Sequence, residues 1–142
     1  MDLSIPIQDT TLYIRVAGFI KTKNGLLFEQ SKDGGYIFTI GGKIKLNENS
    51  EEAIKREVME EIGLKVDDIK LCSIMENLYS KSNKKTHEIC FVYIVNNIFE
   101  GDIPKGFIEV KLDDINNFDV RPSSMVKILN DKDTLFKHII QN

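Results

Sequence analysis

Residues 41–64 read Gly-Gly-Lys-Ile-Lys-Leu-Asn-Glu-Asn-Ser-Glu-Glu-Ala-Ile-Lys-Arg-Glu-Val-Met-Glu-Glu-Ile-Gly-Leu. Within them, residues 51–62 predict a helix. Asn49 or Ser50 can cap its start, and Glu51 and Glu52 suit the positive end of the helix dipole. Gly63 follows the last turn, where a left-handed residue is expected. Ile54, Val58 and Ile62 recur every four residues and form an apolar stripe for a core. Glu57, Glu60 and Glu61 stand at i, i+3 and i+4, so they share another face. Carboxylates placed this way repel by about 0.2–0.5 kcal/mol per close pair at a solvated surface. A hard divalent cation reverses that sign. Mg²⁺ takes oxygen ligands, keeps several waters and is commonly shared with substrate phosphates. It also lowers the pKa of a bound water.

An acidic helix face alone is more often solvated surface than site, and an exposed Arg56–Glu pair adds little. The wider register changes that balance. Gly42 is followed after five residues by Glu48. Seven residues later comes Arg56-Glu57-Val58-Met59-Glu60-Glu61-Ile62-Gly63-Leu64. This resembles the signature of the Nudix hydrolase family, Gly-x5-Glu-x7-Arg-Glu-U-x-Glu-Glu-x-Gly-U, where U is aliphatic. All nine specified positions match over 23 residues, a far more specific signal than a lone glycine motif.

The resemblance implies an α+β fold: an α/β/α sandwich on a mixed sheet, with residues 42–64 as a loop–helix–loop. It implies Mg²⁺, with Mn²⁺ as a substitute, and a substrate containing a diphosphate, such as a nucleoside diphosphate linked to another group. It makes Glu60 and Glu61 the leading metal ligands and Glu57 a ligand or the base that activates water. Arg56 and Glu48 become mutually orienting residues, and the Gly42 backbone approaches the metal. Weaker likenesses are residues 14–20, similar to the family's first sheet strand, and residues 112–115 with Arg121-Pro122, similar to its closing segment. Three departures stand out. Ile40 replaces the usual proline before the two glycines, Glu109 occupies a common tryptophan position, and Lys105-Gly106-Phe107 offers no late catalytic glutamate. Glu88 is therefore a candidate ligand or base, weighed evenly against an exposed strand position. His87 reads as a surface loop histidine, and Glu100 and Glu109 are weaker candidates.

The rest of the chain supports a soluble single domain over residues 1–142. The chain is 42% hydrophobic and 29% charged, with a net charge of −3, which argues against bulk electrostatic binding to nucleic acid or anionic membrane. Capped RNA ends remain among the candidate substrates. Cys72 and Cys90 read as reduced core thiols, and without a Cys/His cluster a zinc site is not expected. The N-terminus lacks a signal-peptide pattern and no apolar run spans a membrane, so a cytoplasmic protein, monomer or homodimer, is expected.

Strands are predicted at residues 11–20 and 26–29, joined by a Lys23-Asn24-Gly25 turn. Residues 31–35 read as a loop and residues 36–40 as a strand that Gly41-Gly42 ends. Further strands are predicted at 71–79, 88–95 and 107–112, with a lysine-rich loop at 80–86. Residues 113–118 suggest a short helix, and residues 123–140 a C-terminal helix broken near Asn130-Asp131. Arg15 and Lys43 are candidates for substrate phosphate, because a guanidinium matches phosphate oxygens. Tyr36 and Tyr79 are candidates to stack a base, and Phe38 is expected in the core. Two other readings compete with the hydrolase: a non-catalytic module that binds a nucleotide or ADP-ribose, and an interaction domain whose acidic helix is only surface.

Overall fold

A computed structural model describes residues 1–130 and 137–141. Its elements are β1 (Ser4–Ile7), β2 (Thr10–Thr22), β3 (Leu26–Gln30), β4 (Ile37–Phe38), β5 (Ile40–Lys43), α1 (Ser50–Ile62), β6 (Ile69–Lys81), β7 (Lys84–Phe99), β8 (Phe107–Val110), a 3₁₀ helix (Leu112–Asn117), α2 (Ser124–Asn130) and β9 (Lys137–Gln141). The strands form one mixed sheet, ordered β4-β3-β2-β7-β6-β9 along its main path.

β2 organises the sheet. Along one edge it pairs in turn with β1, β5 and β3, all antiparallel; along the other it runs parallel to β7. Parallel strands need cover on both faces, and residues 16–20 of β2 are buried without a break. Val16 and Ile20 pack beneath α1 with Ile54 and Val58. Ala17 and Phe19 pack on the opposite face with Ile115 and Met125. Two apolar layers, one on each side of the sheet, make an α+β sandwich. α1 lies so close that a side chain at Gly18 would meet Ile54 Cδ1 at 2.9 Å.

The helix boundaries follow the predicted chemistry. Asn49 caps α1 in a reciprocal capping box with Glu52, and Gly63 takes φ 69° at its end. Ser50 does another job: its hydroxyl hydrogen-bonds the buried Tyr93 hydroxyl at 2.6 Å, tying the helix start to β7.

Four expectations need correction. Gly41 and Gly42 do not end a strand but lie inside β5. A Cβ on Gly41 would strike the β2 backbone at Ala17 Cα, 2.9 Å away, so the glycine permits close strand approach. The lysine-rich segment 80–86 is not a loop. β6 and β7 meet through Ser82-Asn83, whose φ values of 51° and 63° are those of a tight hairpin turn. His87 accordingly lies on β7. Among the described residues the C-terminal helix is α2, and residues 137–140, expected to be helical, lie in β9, which adds to β6 in parallel. The Asn130-Asp131 break falls at the boundary of the described residues. The predicted strand at 107–112 stops at Val110, and its last residue starts the 3₁₀ helix.

Candidate functional site

Arg56 is the hub of the signature. Its Nε donates to Glu48 Oε1 at 2.6 Å and its Nη2 to Glu48 Oε2 at 2.9 Å, a two-point fork. Nη1 donates to Glu57 Oε1 at 2.7 Å and, more weakly, to Glu60 Oε2 at 3.4 Å. Nη2 also reaches the Lys43 carbonyl at 3.1 Å. Glu48 in turn accepts the Lys45 backbone N–H at 2.9 Å. These contacts hold the Glu48 carboxyl well below its usual range, at about 2, with the Arg56 hydrogen bonds the main cause. The loop before α1 is thereby clamped to the helix.

The Glu57 carboxylate occupies the space where a side chain on Gly42 would project. Gly42→Ala is therefore expected to push Glu57 aside. A carboxylate tip can swing away without moving backbone, so stability should fall by no more than about 1 kcal/mol. Activity should drop roughly tenfold or more, because misplacement of a reacting group is costly. Thermal melts alongside steady-state kinetics check both halves of this expectation.

Glu61 has no such partner. Its Oε2 is buried and makes no hydrogen bond among the described residues. Burial raises its carboxyl to about 7, and the charges of Glu29 and Glu57 push in the same direction. Glu29 was not singled out in the sequence. Strand alternation puts it on the same face as Leu27, beneath α1. Burial raises the Glu29 carboxyl as well. Its one faint signal is a charge directly after the apolar run Leu26-Leu27-Phe28.

Among the described residues no three acidic, histidine or cysteine side chains already converge on one point; Arg56 engages Glu57 and Glu60 instead. The donor set nevertheless fits a hard divalent cation. It consists of carboxylate oxygens, one of them orphaned and buried, beside a glycine that leaves the backbone accessible.

Arg15 and Glu88 lie on the other face of the sheet. Arg15 alternates with Ala17 and Phe19, and Glu88 with Cys90 and Val92. The two side chains pair at 3.5 Å, with the Glu88 side chain only 5% exposed. Burial disfavours the Arg15 charge, but Glu88, together with Cys90 and Tyr79, outweighs that effect and raises its pKa. Arg15 and Lys43 are direct cross-strand partners on β2 and β5. Like charges set opposite each other are unfavourable in a sheet, so the pair suits an anion. Lys43 Nζ sits 4.6 Å from the centre of the Tyr13 ring. A depression containing Arg15, Gly42, Lys43 and Glu88 adjoins a larger cleft of about 550 Å³.

That cleft is walled by Tyr36, Phe38 and Arg121. The Arg121 guanidinium lies 4.2 Å from the Tyr36 ring centre, and the Tyr36 and Phe38 rings are 6.0 Å apart. Phe38 thus faces the cleft instead of the core, and Tyr79 lines it too. Glu100 is exposed beyond β7, and Glu109 pairs with Leu27 on β8. Cys72 and Cys90 are free thiols, which burial raises to about 11 and about 12.

Together these features define an α+β sandwich carrying an acidic loop–helix–loop next to a basic cleft. A model of the NUDIX domain matches residues 12–130, and the chain belongs to the Nudix family. An 8-oxo-dGTP diphosphatase of Buchnera aphidicola subsp. Schizaphis graminum is 33% identical over 70 residues, covering 46% of this chain and 54% of that protein. The match spans about half the length of that relative. A MutT protein from Bacillus halodurans aligns with a TM-score of 0.74 at 20% identity, covering 90% of this chain and 89% of the other. A MutT Nudix hydrolase from Burkholderia pseudomallei aligns with a TM-score of 0.66 at 18% identity, covering 86% and 98%. At these identities the structural likeness is one of fold. No helix among the described residues is long and apolar enough to cross a membrane.

Proposed function

We propose that the chain is a divalent-metal-dependent pyrophosphohydrolase that cleaves a phosphoanhydride bond in a nucleoside di- or triphosphate. The observation that carries this reading is Glu61, a half-buried carboxylate whose Oε2 is buried and unpaired amid other carboxylates. Such a group calls for a cation. Glu57, Glu60 and Glu61, with the Gly42 backbone, would hold Mg²⁺ or Mn²⁺, which supplies charge neutralisation and an acidified water when bound. Arg56 orients Glu57 and Glu60 from one side and fixes the Gly42 loop through Glu48 from the other. Arg15 and Lys43 bind phosphate oxygens. Tyr36 and Arg121 flank the base.

The Buchnera relative makes oxidised guanine triphosphate the first substrate to test. A panel of nucleoside triphosphates, 8-oxo-dGTP, ADP-ribose, dinucleoside polyphosphates and nucleotide sugars, assayed with Mg²⁺ and with product identification, is the direct experiment. The expected result is turnover of one class that stops on chelation, with a nucleoside monophosphate among the products. A folded protein that turns over none of them with Mg²⁺ or Mn²⁺ would overturn the proposal in favour of a binding module.

A further inference from the structure

Two polar side chains lining the large cleft keep hydrogen-bonding capacity that no described side chain takes up. Asn77 on β6 and Glu88 on β7 are direct cross-strand partners. By alternation both share the face that carries Met75, Cys90 and Val92. Asn77 is 8% exposed and Glu88 is 4% exposed, and both line the cleft. The Asn77 amide makes no side-chain hydrogen bond among the described residues. Glu88 forms an ion pair with Arg15 through Oε2 at 3.5 Å, and no donor among those residues reaches Oε1. Buried amides and carboxylates are normally satisfied. The free polar atoms of Asn77 and Glu88 are not sealed inside the protein, where only Glu61 Oε2 is unpartnered among the described residues, but open to the cleft; two adjacent groups of this kind on one cavity wall are placed to meet a ligand.

We infer that Glu88 and Asn77 read the hydrogen-bonding edge of a guanine-type base. This rests on the nucleotide-hydrolase reading of the same cleft. An ionised carboxylate only accepts hydrogen bonds, so it selects an edge with adjacent donors. Guanine presents N1–H and the N2 amino group side by side, with O6 next to them as an acceptor. Glu88 takes the two donors, and the Asn77 amide donates to O6. Adenine would turn its N1 lone pair towards the carboxylate. Cytosine would do the same with N3, and uracil or thymine offers a single N–H between two carbonyls. Hypoxanthine keeps N1–H and O6 but lacks the amino group. The aromatic rings of Tyr36 and Phe38 supply an apolar flank for a flat base. The cleft volume of about 550 Å³ is in the usual range for a small-molecule site. Arg15 lines both this cleft and the depression with Lys43, joining the base end to the phosphate end.

The test is calorimetric binding of guanosine, inosine and adenosine 5′-monophosphates, which requires no turnover. Guanosine monophosphate should bind roughly ten- to a hundredfold more tightly than either of the others, the usual range for a two-point base contact. Glu88→Gln should bring the guanosine and inosine affinities together, because Glu88 meets the N2 amino group, whereas Asn77→Leu, close to Asn in shape, should weaken guanosine and inosine alike relative to adenosine, with thermal melts confirming a folded protein. If Glu88→Gln fails to fold because Arg15 loses its partner, Asn77→Leu still decides. Equal affinities in the wild type, or a guanosine-over-adenosine preference undiminished in Asn77→Leu, would overturn the inference. Guanine-selective binding without hydrolysis of the nucleotide panel would support the inference and sink the hydrolase reading. Hydrolysis without guanine preference would do the opposite.

Discussion

Glu61→Gln should abolish turnover and, in the metal-free protein at neutral pH, raise thermal stability. The two effects have one origin. The Glu61 carboxylate is half-buried, its Oε2 is buried and unpaired, and Glu29, Glu57 and Glu60 all oppose its charge. Its folded pKa of about 7 lies above the unfolded value of 4.5. Between those values the folded state binds more proton than the unfolded one. Stability from this group is therefore present below about pH 4.5 and is lost as pH rises through 7. Glutamine keeps the shape and removes the charge, so the variant's melting temperature should not show this decline. Catalysis should fall on the order of 10³-fold, the scale for removing an electrostatic element of the transition state. Mg²⁺ should raise the wild-type melting temperature above pH 7, by the linkage between ligand and folded state, and do so much less in the variant. A folded Glu61→Gln protein with full activity would sink the site assignment. Such a residue trades stability for function, as active-site groups often do.

The legible part of this protein is the part whose constraints are local. Asn49, Glu52 and Gly63 cap a helix through residues three or four positions away, and the sequence carries that information in full. Ile54 and Val58 are buried as their spacing predicts. What escaped depends on partners distant in sequence. Ile139 and Ile140 fit a helical pattern as well as a short strand. The decision between them lies in the ladder with residues 73–77 of β6. Ser82-Asn83 lacks glycine, yet a two-residue turn forces both residues to positive φ because the long flanking strands fix the register. Arg15 and Lys43 were each visible as phosphate candidates, but their pairing arises only when β5 joins β2. Glu88 lies four residues inside β7, which starts at Lys84 instead of opening at Glu88, and its side is set by the register with β2 and β6. That register turns it to Arg15 and Asn77, on the face opposite α1. Glu29 escaped because a single charge in a strand looks like surface until a helix covers it.

Arg56→Ala should be the most destabilising single change in the signature, and its effect should shrink in acid. Arg56 makes five hydrogen bonds to Glu48, Glu57, Glu60 and the Lys43 carbonyl. Its removal leaves Glu48 and Glu57, each only 14% exposed, without their cation. Breaking a fully buried pair costs roughly 3–5 kcal/mol. Arg56 retains 20% exposure, so about 2–3 kcal/mol is the expected loss by denaturant titration. Lysine should recover little of it, because a single ammonium cannot reproduce the fork to Glu48 while reaching Glu57. The pH dependence has the opposite sign to that of Glu61. Glu48 has a folded pKa near 2, against 4.5 unfolded. Its stabilising contribution is present above 4.5 and is lost as pH falls towards 2. The gap between wild type and Arg56→Ala should therefore narrow over that interval. In the metal-free wild type the two groups together should make stability rise from pH 7 to about 4.5 and then fall. Arg56→Ala should keep the rise and lose much of the fall. A gap that stays constant down to pH 2 would show that Arg56 stabilises through packing of its stem instead of through the Glu48 fork.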